Sequence, residues 1–251
     1  MLDKKILVVF GDSNVWGAEL KGDKAKPAKV YDPNKIENWP YHIRYSFSGI
    51  LAERNNMKIL NLSIPGSSND TIFRRVNKFL QGKYSVNVND CFVMIFWTSP
   101  ERREFKSLEN NKIYTHPYLN YSPSWGHYMQ LSWHKKFHEI YLENMFDPNY
   151  DLQRTFNYMQ SLTGLLNYKN IEFVQGYSIC NPELHELVLK SKLSNLISNR
   201  IQDSITHYIV EIAKTSKLPN KYQCNRTHPN ELGHISIADR YTELLNERQV
   251  L

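Results

Sequence analysis

The feature that most constrains this chain is a short, unbroken apolar run that ends on a glycine. Lys4-Lys5-Ile6-Leu7-Val8-Val9-Phe10 leads directly into Gly11-Asp12-Ser13-Asn14-Val15-Trp16-Gly17. A β-branched, apolar run without polar alternation is buried on both faces, as a strand inside a parallel sheet is. Parallel neighbours need crossover connections, so the run calls for helices packed against a sheet. A serine just past the carboxyl end of such a strand stands where open α/β sheets hold their ligands. Gly11 permits a sharp turn and Gly17 leaves room further along. Taken alone, the stretch also reads as an ordinary strand-to-helix turn with Asp12 or Ser13 as helix N-cap.

The pattern recurs along the chain. Residues 18–40 read as an irregular loop broken by Pro27, Pro33 and Pro40. Ile43, Phe47, Ile50 and Leu51 recur at helical spacing within residues 41–55. A second strand at 58–64 ends in a Pro65-Gly66 turn, and Asn69 or Asp70 caps a helix that buries Ile72, Val76, Phe79 and Leu80. The third strand, 91–97, is the most apolar run. Beyond it come an amphipathic helix at 151–167, a fourth strand at 171–179, and a mostly helical stretch at 182–217 broken near Leu196. A closing helix at 229–248 presents Ile235, Ile237, Ala238, Tyr241, Leu244 and Leu245 on one face. The alternation predicts an α/β fold: a three-layer α/β/α sandwich around a central parallel sheet with right-handed crossovers. Residues 1–251 form one domain with an insertion at about 98–150. That insertion is rich in Tyr, Trp and His, is expected over the carboxyl ends of the strands, and reads as helical from about 128 to 144. Ser13, Gly66 and the Trp97-Thr98-Ser99 turn then converge at the carboxyl edge of strands one to three.

Composition narrows the function classes. Of the 251 residues, 41% are hydrophobic and 22% charged, which suits a globular core and argues against wholesale disorder. The net charge of +6 is diffuse, with Lys21, Lys24, Lys26 and Lys29 in one solvated loop, so no nucleic-acid partner is expected. Cys91, Cys180 and Cys224 lack paired spacing; Cys91 and Cys180 read as buried thiols. His134 and His138 stand four apart, but Lys135 follows where the metalloprotease motif has glutamate, and no metal or other cofactor is expected. With no signal-peptide pattern and no membrane-length apolar run, a cytoplasmic protein is expected.

Near the other end stands Asn225-Arg226-Thr227-His228-Pro229-Asn230-Glu231-Leu232-Gly233-His234, and between the two blocks lies Asn61-Leu62-Ser63-Ile64-Pro65-Gly66-Ser67-Ser68-Asn69. An early Gly-Asp-Ser and a late His-Pro-Asn-x-x-Gly-His, with this middle block in order, resemble the SGNH (GDSL-type) hydrolase family over nearly the whole chain. The resemblance implies a flavodoxin-like sandwich with a fifth strand, for which no run is evident. It implies Ser13 as nucleophile, His228 as general base, and the N–H groups of Ser13 and Gly66 as oxyanion donors. Two positions depart from the family. Its oxyanion asparagine falls on Ser99, whose hydroxyl is a shorter donor; Thr98, Asn69 and Arg102 are the substitutes. Its triad aspartate falls on Asn225, which leaves a Ser13–His228 dyad with an Asn225 side-chain or main-chain oxygen behind it. Asp12 reads as a pin for the serine turn and His234 as structural. Trp97, Thr98, Arg102 and Trp125 are the expected substrate contacts. The aromatic insertion serves as a substrate platform, a satellite core or an oligomer interface.

The resulting expectation is a serine esterase acting on a small acyl ester or an acylated glycan, acetate being the family's tendency. The alternative is a weak or inactive SGNH module with a glycan-binding or virion-structural role. Divergent chains with a Phe-Trp-Thr-Ser strand ending resemble phage-encoded members, which makes virion association the second localisation. An acyltransferase is a third reading, and the oligomeric state is left open.

Overall fold

The computed structural model describes residues 6–18, 20, 29–106, 113–116, 147–191, 193, 195–198, 200–216, 222 and 228–248. In chain order these form β1 (Ile6–Phe10), α1 (Ser13–Trp16), α2 (Tyr41–Arg44), α3 (Phe47–Arg54), β2 (Lys58–Asn61), α4 (Asn69–Leu80) and β3 (Cys91–Trp97). There follow β4 (Arg103–Lys106), β5 (Ile113–His116), α5 (Pro148–Tyr168), β6 (Glu172–Tyr177), α6 (Pro182–Lys190), α7 (Ile205–Thr215) and α8 (Glu231–Glu247).

Four strands make one parallel sheet in the order β2-β1-β3-β6. Side chains alternate across it. Val8, Phe10, Leu60, Val93, Ile95 and Trp97 pack on one face with the apolar sides of α4, α5 and α6. Leu7, Val9, Ile59, Phe92, Met94 and Phe96 pack on the other with α3, α7 and α8. This is the expected α/β/α sandwich. Every residue of β3 is buried, as its unbroken apolar sequence requires. Cys91 and Cys180 are both buried, and burial pushes the Cys180 thiol up to about 12.

Several boundaries move for identifiable reasons. The helix expected over 41–55 is two helices. Ser46 caps the second through a hydrogen bond from Gly49 N–H, and a Cβ on Gly49 would lie 1.9 Å from the Ile43 carbonyl oxygen. Only glycine allows that corner. Ser68, not Asn69 or Asp70, caps α4, which puts Asn69 inside the first turn. The fourth strand is confined to residues 172–177. The break near Leu196 holds a trace of the fifth strand: Gln175 N–H donates to Asn195 O at 2.7 Å and Ile197 N–H donates to Gln175 O at 2.6 Å, a single parallel bridge beside β6. Ile235 is 38% exposed and does not share the buried face of α8. Within the insertion, β4 and β5 pair as an antiparallel hairpin, and α5 begins at Pro148. The helix expected over 128–144 lies outside the described residues. No helix among the described residues is long and apolar enough to cross a membrane.

Candidate active site

Ser13 is the first helical residue after β1. Asp12 caps the short helix, its Oδ1 accepting from Asn14 N–H at 3.0 Å, and Gly17 closes it at φ +83°. A Cβ on Gly11 would lie 2.4 Å from Val15 Cγ2, so the tight exit from β1 requires glycine there. The Asp12 side chain is fully buried and is the hub of the sheet edge. Its Oδ1 also accepts from Ser178 Oγ at 2.5 Å, and its Oδ2 accepts from Thr98 Oγ1 at 2.9 Å and from Arg102 Nη1 at 3.5 Å. Asn14 Nδ2 donates to Ser178 Oγ at 3.0 Å. One carboxylate thus ties the ends of β1, β3 and β6 together. The pin expected at Asp12 is there, but Ser178 has no distinguishing mark in the sequence.

The second wall is the turn over residues 64–67. Ser67 N–H donates to Ile64 O at 3.1 Å, with Gly66 at φ +76° after Pro65, the residue pair a type II turn demands. Ile64 N–H donates to Gly11 O at 3.1 Å, and Asn61 Nδ2 donates to Val15 O at 3.2 Å, so this turn is fastened to the serine turn.

His228 comes from the far end of the chain. Asn230 caps α8 by accepting from Gly233 N–H at 3.0 Å. A Cβ on Gly233 would lie 2.3 Å from Tyr222 O, so glycine is needed where the preceding loop crosses the helix. The loop so held puts His228 Nε2 2.9 Å from Ser13 Oγ. That is the contact by which an imidazole takes a proton from a hydroxyl. His234, one turn into α8, is fully buried. Its Nδ1 accepts from Phe47 N–H at 3.2 Å. Burial, with the His228 charge adding to it, pushes its pKa down to about 3, so it is a neutral latch between α8 and α3.

The remaining expected positions divide. Trp97 is completely buried and donates through Nε1 to Gln175 Oε1 at 2.8 Å; it is a core residue, because the last residue of β3 points into the α4–α5 layer. Thr98 is equally buried, its hydroxyl donating to Asp12. Neither side chain is exposed to the crevice, which counts against the substrate contacts expected of them. The Ser99 hydroxyl donates its one proton to Glu101, so the donor role expected of it is not open in this arrangement. Asn69 is no substitute: its Oδ1 accepts from Thr98 N–H at 2.9 Å, and its Nδ2 donates to Thr98 O at 3.0 Å and Thr155 Oγ1 at 3.2 Å. Arg102 does reach the site. Asn225, Trp125, His134 and His138 lie outside the described residues.

Ion pairs that sequence reasoning did not foresee hold the 98–104 segment in place. Arg154 Nη1 donates to both oxygens of Asp70 at 2.9 Å, and its Nη2 donates to Pro100 O at 3.0 Å. Arg103 Nε donates to Asp151 Oδ1 at 2.5 Å, and Arg74 pairs with Glu104. Burial raises the Asp151 carboxyl against the opposing pull of Arg103 and Arg154. The i, i+3 spacing of Asp151 and Arg154 on a helix is visible in sequence, but their partners are not. Among the described residues no group of three or more His, Cys, Asp or Glu side chains is arranged to hold a metal ion.

The fold of this chain has counterparts among solved structures. A psychrotrophic esterase from Pseudoalteromonas sp., solved with monoethylphosphonate as inhibitor, superposes with a TM-score of 0.52 at 12% identity, over 98% of this chain and 99% of its own. A catalytic mutant of an acetylxylan esterase from Geobacillus stearothermophilus gives 0.53 at 13% identity, over 96% and 94%. A candidate GDSL-like lipase from Parabacteroides merdae gives 0.51 at 13%, over 97% of each chain. The fold is that of the GDSL-type (SGNH) hydrolases. No protein-family model and no curated protein sequence matches the chain. At 10–13% identity the likeness rests on backbone architecture.

Proposed function

We infer that this chain is a serine ester hydrolase whose nucleophile is Ser13 and whose general base is His228. The observation that carries the reading is the 2.9 Å contact between Ser13 Oγ and His228 Nε2 at the carboxyl edge of an SGNH-type sheet. Ser13 Oγ attacks the ester carbonyl as its proton passes to Nε2; the carbonyl oxygen becomes an oxyanion. The N–H of Ser13, at the first position of a helix and so without an intrahelical acceptor, donates to it together with the N–H of Gly66. Collapse expels the alcohol, which takes the proton from His228. Water then attacks the acyl-enzyme with His228 again as base, releasing the acid and restoring Ser13. Asn225 supplies the oxygen that orients the imidazole.

A small acyl ester on a glycan is the substrate class we favour, because the acetylxylan esterase shares this architecture at a TM-score of 0.53. A second reading, a weakly active or inactive module that binds glycan or serves in a virion, draws on the commitment of the Ser99 hydroxyl to Glu101. The two readings separate in one experiment. A fluorophosphonate probe is expected to label Ser13, and p-nitrophenyl acetate to give an acyl-enzyme burst. Ser13→Ala and His228→Ala should each lower kcat by roughly 10⁴-fold or more, and the double variant little further, since the two act as a unit. Absence of both labelling and turnover would decide for the inactive module, whereas equal turnover by wild type and Ser13→Ala would show that Ser13 is not the nucleophile.

A further inference from the structure

The esterase reading leaves an oxyanion next to two backbone donors and, of the polar side chains around it, most are already engaged. The Thr98 hydroxyl is given to Asp12, the Ser99 hydroxyl to Glu101, and both ends of the Asn69 amide to Thr98 and Thr155. Arg102 differs. Its Nη1 lies 3.5 Å from Asp12 Oδ2 on the serine turn and 3.4 Å from Ser67 O beside Gly66, so the guanidinium bridges the two turns that carry the backbone donors. Both contacts are long, and a guanidinium has five N–H groups. Its side chain keeps 12% exposure, whereas Asp12 beneath it has none.

The geometry points to Arg102 as a third, side-chain oxyanion donor: a cation held between Asp12 and Ser67, beside the turns that carry Ser13 and Gly66, that meets the negative charge formed on the carbonyl oxygen. The contact to Asp12 is loose enough in the resting site for the guanidinium to favour the oxyanion once it forms. A donor that strengthens only as charge develops lowers the barrier without tightening ground-state binding, so it acts on kcat more than on KM. Backbone placement supports the role. Arg154 and Arg103 staple the 98–104 segment to α4 and α5, so Arg102 rides on a segment with fixed ends.

This inference rests on the esterase reading, and the test separates the two. The full chain is assayed on p-nitrophenyl acetate and on its thiono analogue, in which C=S replaces C=O, with wild type, Arg102→Lys and Arg102→Met. Sulfur accepts hydrogen bonds poorly, so wild type should strongly favour the oxygen ester. Arg102→Met should lose about 100- to 1,000-fold in kcat on the oxygen ester, the usual scale for one oxyanion donor, with KM nearly unmoved. Its loss on the thiono ester should be at least tenfold smaller, so the oxygen-to-sulfur preference collapses; Arg102→Lys, which keeps the charge and a hold on Asp12, should fall between. Equal losses on both esters, or a change confined to KM, would overturn the donor role while leaving the esterase reading in place. If wild type turns over neither ester and no probe labels Ser13, both fall. Should Arg102→Met fail to fold, the comparison is made on Arg102→Lys, and an unchanged oxygen-to-sulfur preference there would equally overturn it.

Discussion

Replacing Asp12 with asparagine changes one oxygen to an amide nitrogen at the hub of the sheet edge, and its cost follows from the identity of the four donors. Asn14 N–H and Ser178 O–H point at Oδ1; Thr98 O–H and Arg102 Nη1 point at Oδ2. The Asn14 donor is backbone and cannot invert, so the amide oxygen must stay on that side and the new NH₂ faces Thr98 and Arg102. Thr98 can rotate its hydroxyl to accept. Arg102 has only donors and is left against another donor. Three charge-assisted bonds become neutral ones, each weaker by about 1 kcal/mol, and the guanidinium contact is lost. Relief from burying an anion offsets part of this. The expected net loss is about 2–4 kcal/mol, or roughly 5–10 °C in melting temperature for a chain this size. Asp12→Ala removes the acceptor from buried donors altogether and should be worse. Urea unfolding followed by circular dichroism reads the difference as a shift in midpoint at constant m. An Asp12→Asn variant as stable as wild type, or more so, would refute the reasoning: the sheet edge would then not be organised around a buried anion.

Two further outcomes concern the latch and the serine turn. The His234 pKa of about 3 in the folded state lies below its ordinary 6.5, so the unfolded chain takes the proton first. Its share of stability is full above pH 6.5 and is lost, at up to about 1.4 kcal/mol per pH unit, as pH falls toward 3. His234→Gln should therefore shift the urea midpoint less between pH 7 and pH 5 than wild type does; an identical shift would show that His234 is not a buried neutral group. Gly17→Ala should cost about 1–3 kcal/mol for the left-handed φ alone, and more because its Cβ would lie 2.7 Å from His42 O. A thermal melt matching wild type would mean that the turn relaxes freely.

How much of this was legible beforehand differs between backbone and side chains. Apolar runs located all four strands of the sheet, most plainly β3, where burial on both faces leaves a mark on every residue. Ser13 and His228 were legible for a similar reason: each sits in a short local pattern whose glycines and caps have a fixed backbone task. Trp97 was misjudged because a strand's last residue goes to one face or the other by a single step of alternation, and the sheet's register decides which. Ser99 was misjudged because a hydroxyl goes to the nearest strong acceptor, and Glu101 two residues on was that acceptor. Ser68 displaced Asn69 as cap by one position, which freed Asn69 to clamp Thr98. Arg154 and Asp70, 84 residues apart, meet only after two helices pack.

Ser13 and His228 are separated by 215 residues. On a ribosome adding about 5–20 residues per second, Ser13 emerges on the order of ten to forty seconds before His228. Throughout that interval Ser13 is an ordinary alcohol, inert toward the esters around it. The contact between the two waits for the docking of α8, the last described element to be made, so on the proposed function the hydroxyl meets its base only after synthesis has passed through the described sandwich.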